Sequence, residues 1–207
     1  MINRYASLKQ GLVGAWCPSL GASGYRLIDR SGYGNHGTLT NMDPSGGKLA
    51  LDFDGSNDKV LTQGQPPISL GLTISLWAKL GNTNFPHFFV KPSSSAWSSP
   101  FADYALRIEG TGGKIQACIN NFGVASNTIL GSTTITVDGL WHHFAFTYDL
   151  ATMRLFLDAK IDGTKALVVS SINNSAFNPI IADNTNATGL LLGQLDDIRI
   201  YNRALTP

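Results

Sequence analysis

The sequence predicts an all-β fold, a sandwich of two antiparallel sheets. Three observations lead there. Short apolar segments alternate with polar positions at a period of two; Gly, Asn, Asp and Pro punctuate them at close intervals; and no segment longer than ten residues carries a 3.6-residue period. Composition agrees, with 22 glycines and with Glu109 the single glutamate among 14 acidic residues, so strong helix formers are scarce. A chain of 207 residues fits one such sandwich. At that size roughly 70% of the unfolded surface is buried, so the core needs neither disulfide nor metal.

Taken in order, Leu12-Val13-Gly14-Ala15-Trp16-Cys17 is the first strand. Ala50 to Asp54 runs through Gly55-Ser56-Asn57-Asp58 into Lys59-Val60-Leu61, which reads as a hairpin. Thr73 to Leu80 alternates cleanly, with Ile74, Leu76, Ala78 and Leu80 on one face. Tyr104 to Glu109 and Lys114 to Ile119 flank Gly110-Thr111-Gly112-Gly113, a second hairpin. In the segment from Trp141, Phe144, Phe146 and Tyr148 share a face, while the adjacent His142 and His143 point opposite ways. Met153 to Asp158 pairs with Lys160 to Val169 through a turn near Ala159, and Leu190 to Gly193 leads into a last strand, Leu195 to Tyr201. Residues 1–10 read as an N-terminal lead and 11–207 as a single domain. Polar loops span 82–86, 92–103 and 170–188, and loops on a rigid scaffold are where binding residues concentrate.

A formal net charge of +1 excludes a strongly electrostatic nucleic-acid binder. No apolar run is long enough for a transmembrane helix, and Met1 to Gln10 carries no apolar core of a secretory signal. Cys17 and Cys118 read as reduced, buried thiols, and no Cys/His cluster has zinc-ligand spacing.

Five blocks, in order, resemble laminin-G-like domains of the concanavalin A-like lectin and glucanase type. They are Gly11 to Trp16; Asp29-Arg30-Ser31-Gly32-Tyr33-Gly34-Asn35-His36-Gly37-Thr38-Leu39; Leu51 to Val60; Trp141 to Asp149; and Leu195 to Leu205. The resemblance implies a concanavalin A-like jelly roll. It leaves the ligand open, since such domains occur in adhesins, glycosidase appendages, pentraxin-like proteins and phage virion proteins. A free-standing domain without a signal resembles phage structural or receptor-binding components. The expectation is therefore a virion-surface or extracellular module, self-associated or bound to other virion subunits, with surface glycans as a further partner. A secreted or cell-surface lectin-like module is the alternative.

Glucanases of this fold carry paired glutamates in a Glu-x-Asp-x-x-Glu pattern, and a retaining glycosidase needs two carboxyl groups about 5–5.5 Å apart. With one glutamate, and with Asp196 and Asp197 adjacent on a strand, no such pair is evident, and the chain reads as a non-catalytic module. For ligand binding, Trp97 stands out as an aromatic amid serines, able to stack on a sugar ring or to tuck back onto the sandwich. Asn82, Asn84, Asn121 and Asn184 would supply hydrogen bonds to hydroxyls. Trp16, Trp77 and Trp141 sit in strand patterns and read as core or sheet-face packing. The resemblance further implies one structural calcium, with Asp29, Asn35 and Asp196 as oxygen ligands. The competing reading is that Asp29 caps a turn and Asp196 accepts backbone amides. Asp196 shares strand parity with Ile198 and Ile200, so it faces the core unless a bulge intervenes.

Overall fold

The computed structural model describes residues 6–20, 24–43, 49–64, 68–95, 98–99, 101–184, 186 and 189–206. A short helix α1 (Ala6–Lys9) precedes β1 (Leu12–Trp16), a 3₁₀ turn (Pro18–Leu20), β2 (Arg26–Leu27), β3 (Gly37–Thr40), β4 (Leu51–Asp54) and β5 (Lys59–Thr62). The central strands are β6 (Leu72–Leu80), β7 (His87–Pro92), β8 (Ala102–Glu109) and β9 (Lys114–Ile119). After a second 3₁₀ turn (Ala125–Asn127) come β10 (Thr128–Thr134), β11 (His142–Tyr148), β12 (Thr152–Leu157), β13 (Lys160–Ala166), β14 (Ile180–Ile181) and β15 (Leu192–Tyr201).

These strands build two antiparallel sheets, as the alternation predicts. The first has the order β1-β15-β6-β11-β12-β13, with β4 also on β15; the second has the order β10-β9-β8-β7-β14-β5-β3-β2. Strand β15 is long enough to hold two partners along one side, β4 against Leu192–Leu195 and β1 against Ile198–Tyr201, with β6 along the other. The core between the sheets takes the inward residues that parity assigns: Ile74, Leu76 and Ala78 of β6, Phe144, Phe146 and Tyr148 of β11, and Tyr104, Leu106 and Ile108 of β8. Trp16 is fully buried among them, and its indole N–H donates to Asn35 O at 2.9 Å.

Two expected hairpins form, β8–β9 and β12–β13, the latter through Asp158 and Ala159, both at positive φ. The segment read as a hairpin from Ala50 to Leu61 is not one. Its halves belong to opposite sheets, β4 to the first and β5 to the second. The polar turn explains the crossing. Ser56 N donates to Asp54 Oδ1 (2.7 Å) and Asp54 N donates to Asp58 Oδ2 (3.0 Å), so side-chain carboxylates, not a cross-strand ladder, close the loop over Gly55 at φ 76°.

The cysteines are unpaired. Cys118 is buried, and Cys17 Sγ donates to Asp197 Oδ1 at 3.2 Å. Burial and then the Asp197 carboxylate push the Cys17 thiol up to about 11.

Candidate functional site

The Asp29 carboxylate is spent on protein donors. Its Oδ1 accepts Ala15 N and Ser31 N, both at 2.9 Å, and its Oδ2 accepts Ser31 Oγ (2.7 Å) and Asn35 N (2.9 Å). Asn35 is equally committed, its Nδ2 donating to Val13 O at 2.8 Å. These residues fold the Asp29–Asn35 loop onto β1; they do not fit a calcium cage, because both Asp29 oxygens already face N–H and O–H groups. Among the described residues no cluster of three His, Cys, Asp or Glu side chains is arranged to hold a metal.

Asp196 lies elsewhere. The β15–β6 register slips between Asp196 and Arg199, with Asp197 at φ 48°. That bulge separates Asp196 from the parity of Ile198 and Ile200, and pairs it with Trp77 on the outer face of the first sheet. There its Oδ1 accepts Ser19 N at 3.3 Å. Asp197 instead bonds Arg199 Nε at 2.7 Å.

The asparagines expected to bind a ligand sit on loops of the second sheet. Asn82 and Asn84 lie just before Phe85 on the connection from β6 to β7, and Asn121 precedes Phe122 after β9. The Arg107 guanidinium lies 4.0 Å from the Phe122 ring centroid and 5.4 Å from that of Phe85, and Arg107 Nε donates to Gln116 Oε1 at 2.7 Å. This stack ties both loops to β8. Asn184 is corrected as a ligand contact: it is 1% exposed, and its Oδ1 accepts Asn186 N at 2.8 Å, so it braces its own loop. Trp97 lies outside the described residues.

Residues that sequence reading set aside as packing line a recess on the outer face of the first sheet. Parity puts Thr73, Ser75, Trp77 and Lys79 of β6 on the outer face, opposite the core row. Trp77 pairs with His143 across β11, and Trp141, two residues before His143, falls on the same side. Both indoles stay open to solvent, Trp77 at 40% and Trp141 at 38%, whereas Trp16 is at 0%. With Ser19, Leu49 and Asp196 they line a cavity of about 400 Å³. The pattern that gave the core row contained this result, since Trp77 falls between Leu76 and Ala78.

Beside it lies a second recess of about 220 Å³, lined by Thr73, Ser75, His143, Ala145, Thr147, Phe156, Ala159, Leu205 and Thr206. His143 of this second recess lies against Trp77 of the first: its ring centroid is 5.2 Å from that of Trp77, and its Nε2 and Ser75 Oγ share a hydrogen bond of 2.9 Å. Burial holds the His143 pKa below its ordinary value, keeping the ring neutral. Its neighbour His142 differs. Its Nδ1 meets Asp158 Oδ2 at 2.8 Å and its Nε2 meets Asp138 Oδ2 at 3.1 Å. Those bonds, Asp158 first, raise its pKa, so His142 clips the turn after β12 to the loop before β11.

The geometry matches proteins of known fold. No curated protein sequence matches the chain. Domain 4 of AbnA, a GH43 extracellular arabinanase from Geobacillus stearothermophilus in complex with arabinotriose, superposes with a TM-score of 0.67 at 19% identity, covering 95% of this chain and 94% of that one. The ligand binding domain of botulinum neurotoxin serotype D in complex with N-acetylneuraminic acid gives 0.63 at 14% identity, and the binding domain of Paraclostridial Mosquitocidal Protein 1 gives 0.64 at 17%. This chain spans half of each of those two. At such identities the likeness is one of fold. A family model, described as the concanavalin A-like lectin/glucanases superfamily, matches residues 20–207. The chain belongs to the laminin-G-like branch of the concanavalin A-like lectin/glucanases superfamily.

Proposed function

We propose that this protein is a carbohydrate-binding module that takes its ligand on the outer face of the first sheet. The observation that carries the reading is the pair of half-exposed indoles, Trp77 and Trp141, set around a carboxylate in one recess. A flat ring stacks on the apolar face of a sugar, and a carboxylate beside it accepts hydrogen bonds from the hydroxyls. The complexes of the arabinanase domain with arabinotriose and of the neurotoxin domain with N-acetylneuraminic acid support carbohydrate as the ligand class.

Binding without catalysis is the reading we adopt. Ser75 and His143 are paired like a nucleophile and base, but Ser75 sits in mid-strand between two paired neighbours, where ladder bonds occupy the nearby amides. Glu109 is spent on the β8–β9 turn, accepting Thr111 N (2.8 Å) and Gly112 N (2.7 Å). Display in several copies, on a virion or another extracellular surface, is the setting in which such a site is most useful, because linked weak sites gain about 10²–10⁴ in avidity.

The test is calorimetric titration of the protein with arabinotriose and with N-acetylneuraminic acid, after a glycan array has ranked further sugars. Binding by the unaltered protein, weakened about 30-fold or more by Trp77→Ala, is the expected result, as for a central aromatic anchor worth about 2 kcal/mol. Binding that Trp77→Ala and Trp141→Ala both leave intact would remove the site from this face.

A further inference from the structure

We infer that the glycan site continues across the sheet into a second subsite, so that the ligand is an uncharged oligosaccharide of several rings. This rests on the reading that the Trp77 recess binds sugar. The two recesses are neighbours: His143, which lines the second and bonds Ser75 there, has its ring 5.2 Å from that of Trp77, which lines the first. Register fixes the direction. Ser75 faces Ala145 on β11, and Ala145 faces Phe156 on β12, so the ring of Phe156 lies two strands across and two residues along from Trp77. With strands about 4.8 Å apart and about 3.4 Å per residue, the offset is roughly 12 Å, too far for one sugar ring to touch both aromatics.

A buried polar atom marks the second recess as more than a gap between strands. Thr147 is 4% exposed and lines it, and its Oγ1 has no hydrogen-bond partner among the described residues. An unpartnered buried hydroxyl costs about 1–3 kcal/mol, which a ligand hydroxyl reaching it would recover. The neighbouring polar groups are neutral: the hydroxyls of Thr73, Ser75 and Thr206, and a histidine that burial keeps uncharged. Among the described residues no charged side chain lines this recess. Hydroxyls around one aromatic ring, with the neighbouring guanidiniums of Arg199 and Arg154 already bonded to Asp197 and Asp149, fit a neutral sugar unit.

The experiment is a chain-length series. Arabino-oligosaccharides of one to five rings, with cello-oligosaccharides of the same lengths, are titrated into the unaltered protein, Trp77→Ala, Phe156→Ala and Thr147→Val. The expected result is affinity rising at least tenfold between one and three or four rings. Phe156→Ala and Thr147→Val should flatten that rise while leaving the shortest sugar bound as before. Thr147→Val keeps the side-chain shape and removes the unpartnered hydroxyl, so its folding is checked by a thermal transition at or above that of the unaltered protein. Binding that depends on Trp77 but not on chain length, or whose length dependence survives both second-subsite changes, would overturn the extension alone. Absence of binding by every sugar at every length, or binding indifferent to Trp77→Ala, would overturn the underlying site together with the extension.

Discussion

Trp77 and Trp141 differ from Trp16 by a single rule, strand parity, which buries one indole in the core and leaves the two proposed for binding half-open. Trp16 is fully buried with its N–H bonded, so Trp16→Ala is expected to cost about 3–5 kcal/mol and to lower the unfolding midpoint sharply. Trp77→Ala, at a half-open position, should shift the midpoint far less while weakening glycan binding. Thermal melts of the two variants check the contrast; an equal loss would place Trp77 in the core economy. His142 offers a second residue-scale test. Its folded pKa is raised by the bonds to Asp158 and Asp138, so the contribution is full below the unfolded value of about 6.5 and is lost as pH rises through the folded value. His87 acts in the other direction. Burial depresses it to about 3, so its contribution is present above about 6.5 and is lost as pH falls. The stability difference between the unaltered protein and His142→Gln, measured by denaturant titration from pH 5.5 to 8.5, should therefore shrink as pH rises. A constant difference would dismiss the clip.

At the scale of elements, alternation made the long strands legible, because β6 and β11 each bury one complete face. It gave no warning of the β4–β5 crossing, since a polar turn of Gly, Ser, Asn and Asp looks the same whether its strands pair or part. Nor did it reveal β2 and β14, two-residue strands without a period to read. The bulge at Asp197 is the instructive miss. Strict parity sends Asp196 to the core, where a carboxylate would need a metal or several donors; one extra residue sends it to the outer face instead. The edges of the sandwich carry a further prediction. Asp162 of β13 accepts Ser132 Oγ and Thr133 N of β10, both at 3.0 Å, linking the two sheets. A Cβ on Gly131 would sit 2.0 Å from Asp162 Oδ2. Gly131→Ala is expected to destabilise by about 1–3 kcal/mol through this link, read as a lower denaturation midpoint, and an unchanged midpoint would show that the edge adapts freely.

For the whole molecule, the family blocks pointed to the fold and stopped short of the site. The block from Asp29 to Leu39 serves architecture here: its carboxylate gathers four donors and seats the loop beneath Trp16. Folding is accordingly expected to be independent of calcium, with the same melting temperature in excess chelator and in millimolar calcium, whereas Asp29→Ala should lose about 2 kcal/mol or more. A melting temperature that drops on chelation would refute that assignment. The proposed binding face, by contrast, draws on residues distant in sequence, Ser19, Trp77, Trp141 and Asp196, which only the strand order brings together. The central claim is that carbohydrate meets this face, and the four tryptophans report on it directly. In a ¹⁵N-labelled sample titrated with arabinotriose and with the best sugar from the array, the indole N–H signals of Trp77 and Trp141 should move together, while that of Trp16 stays fixed. Movement of the Trp97 signal with Trp77 and Trp141 unmoved would contradict the account and take the site off this face.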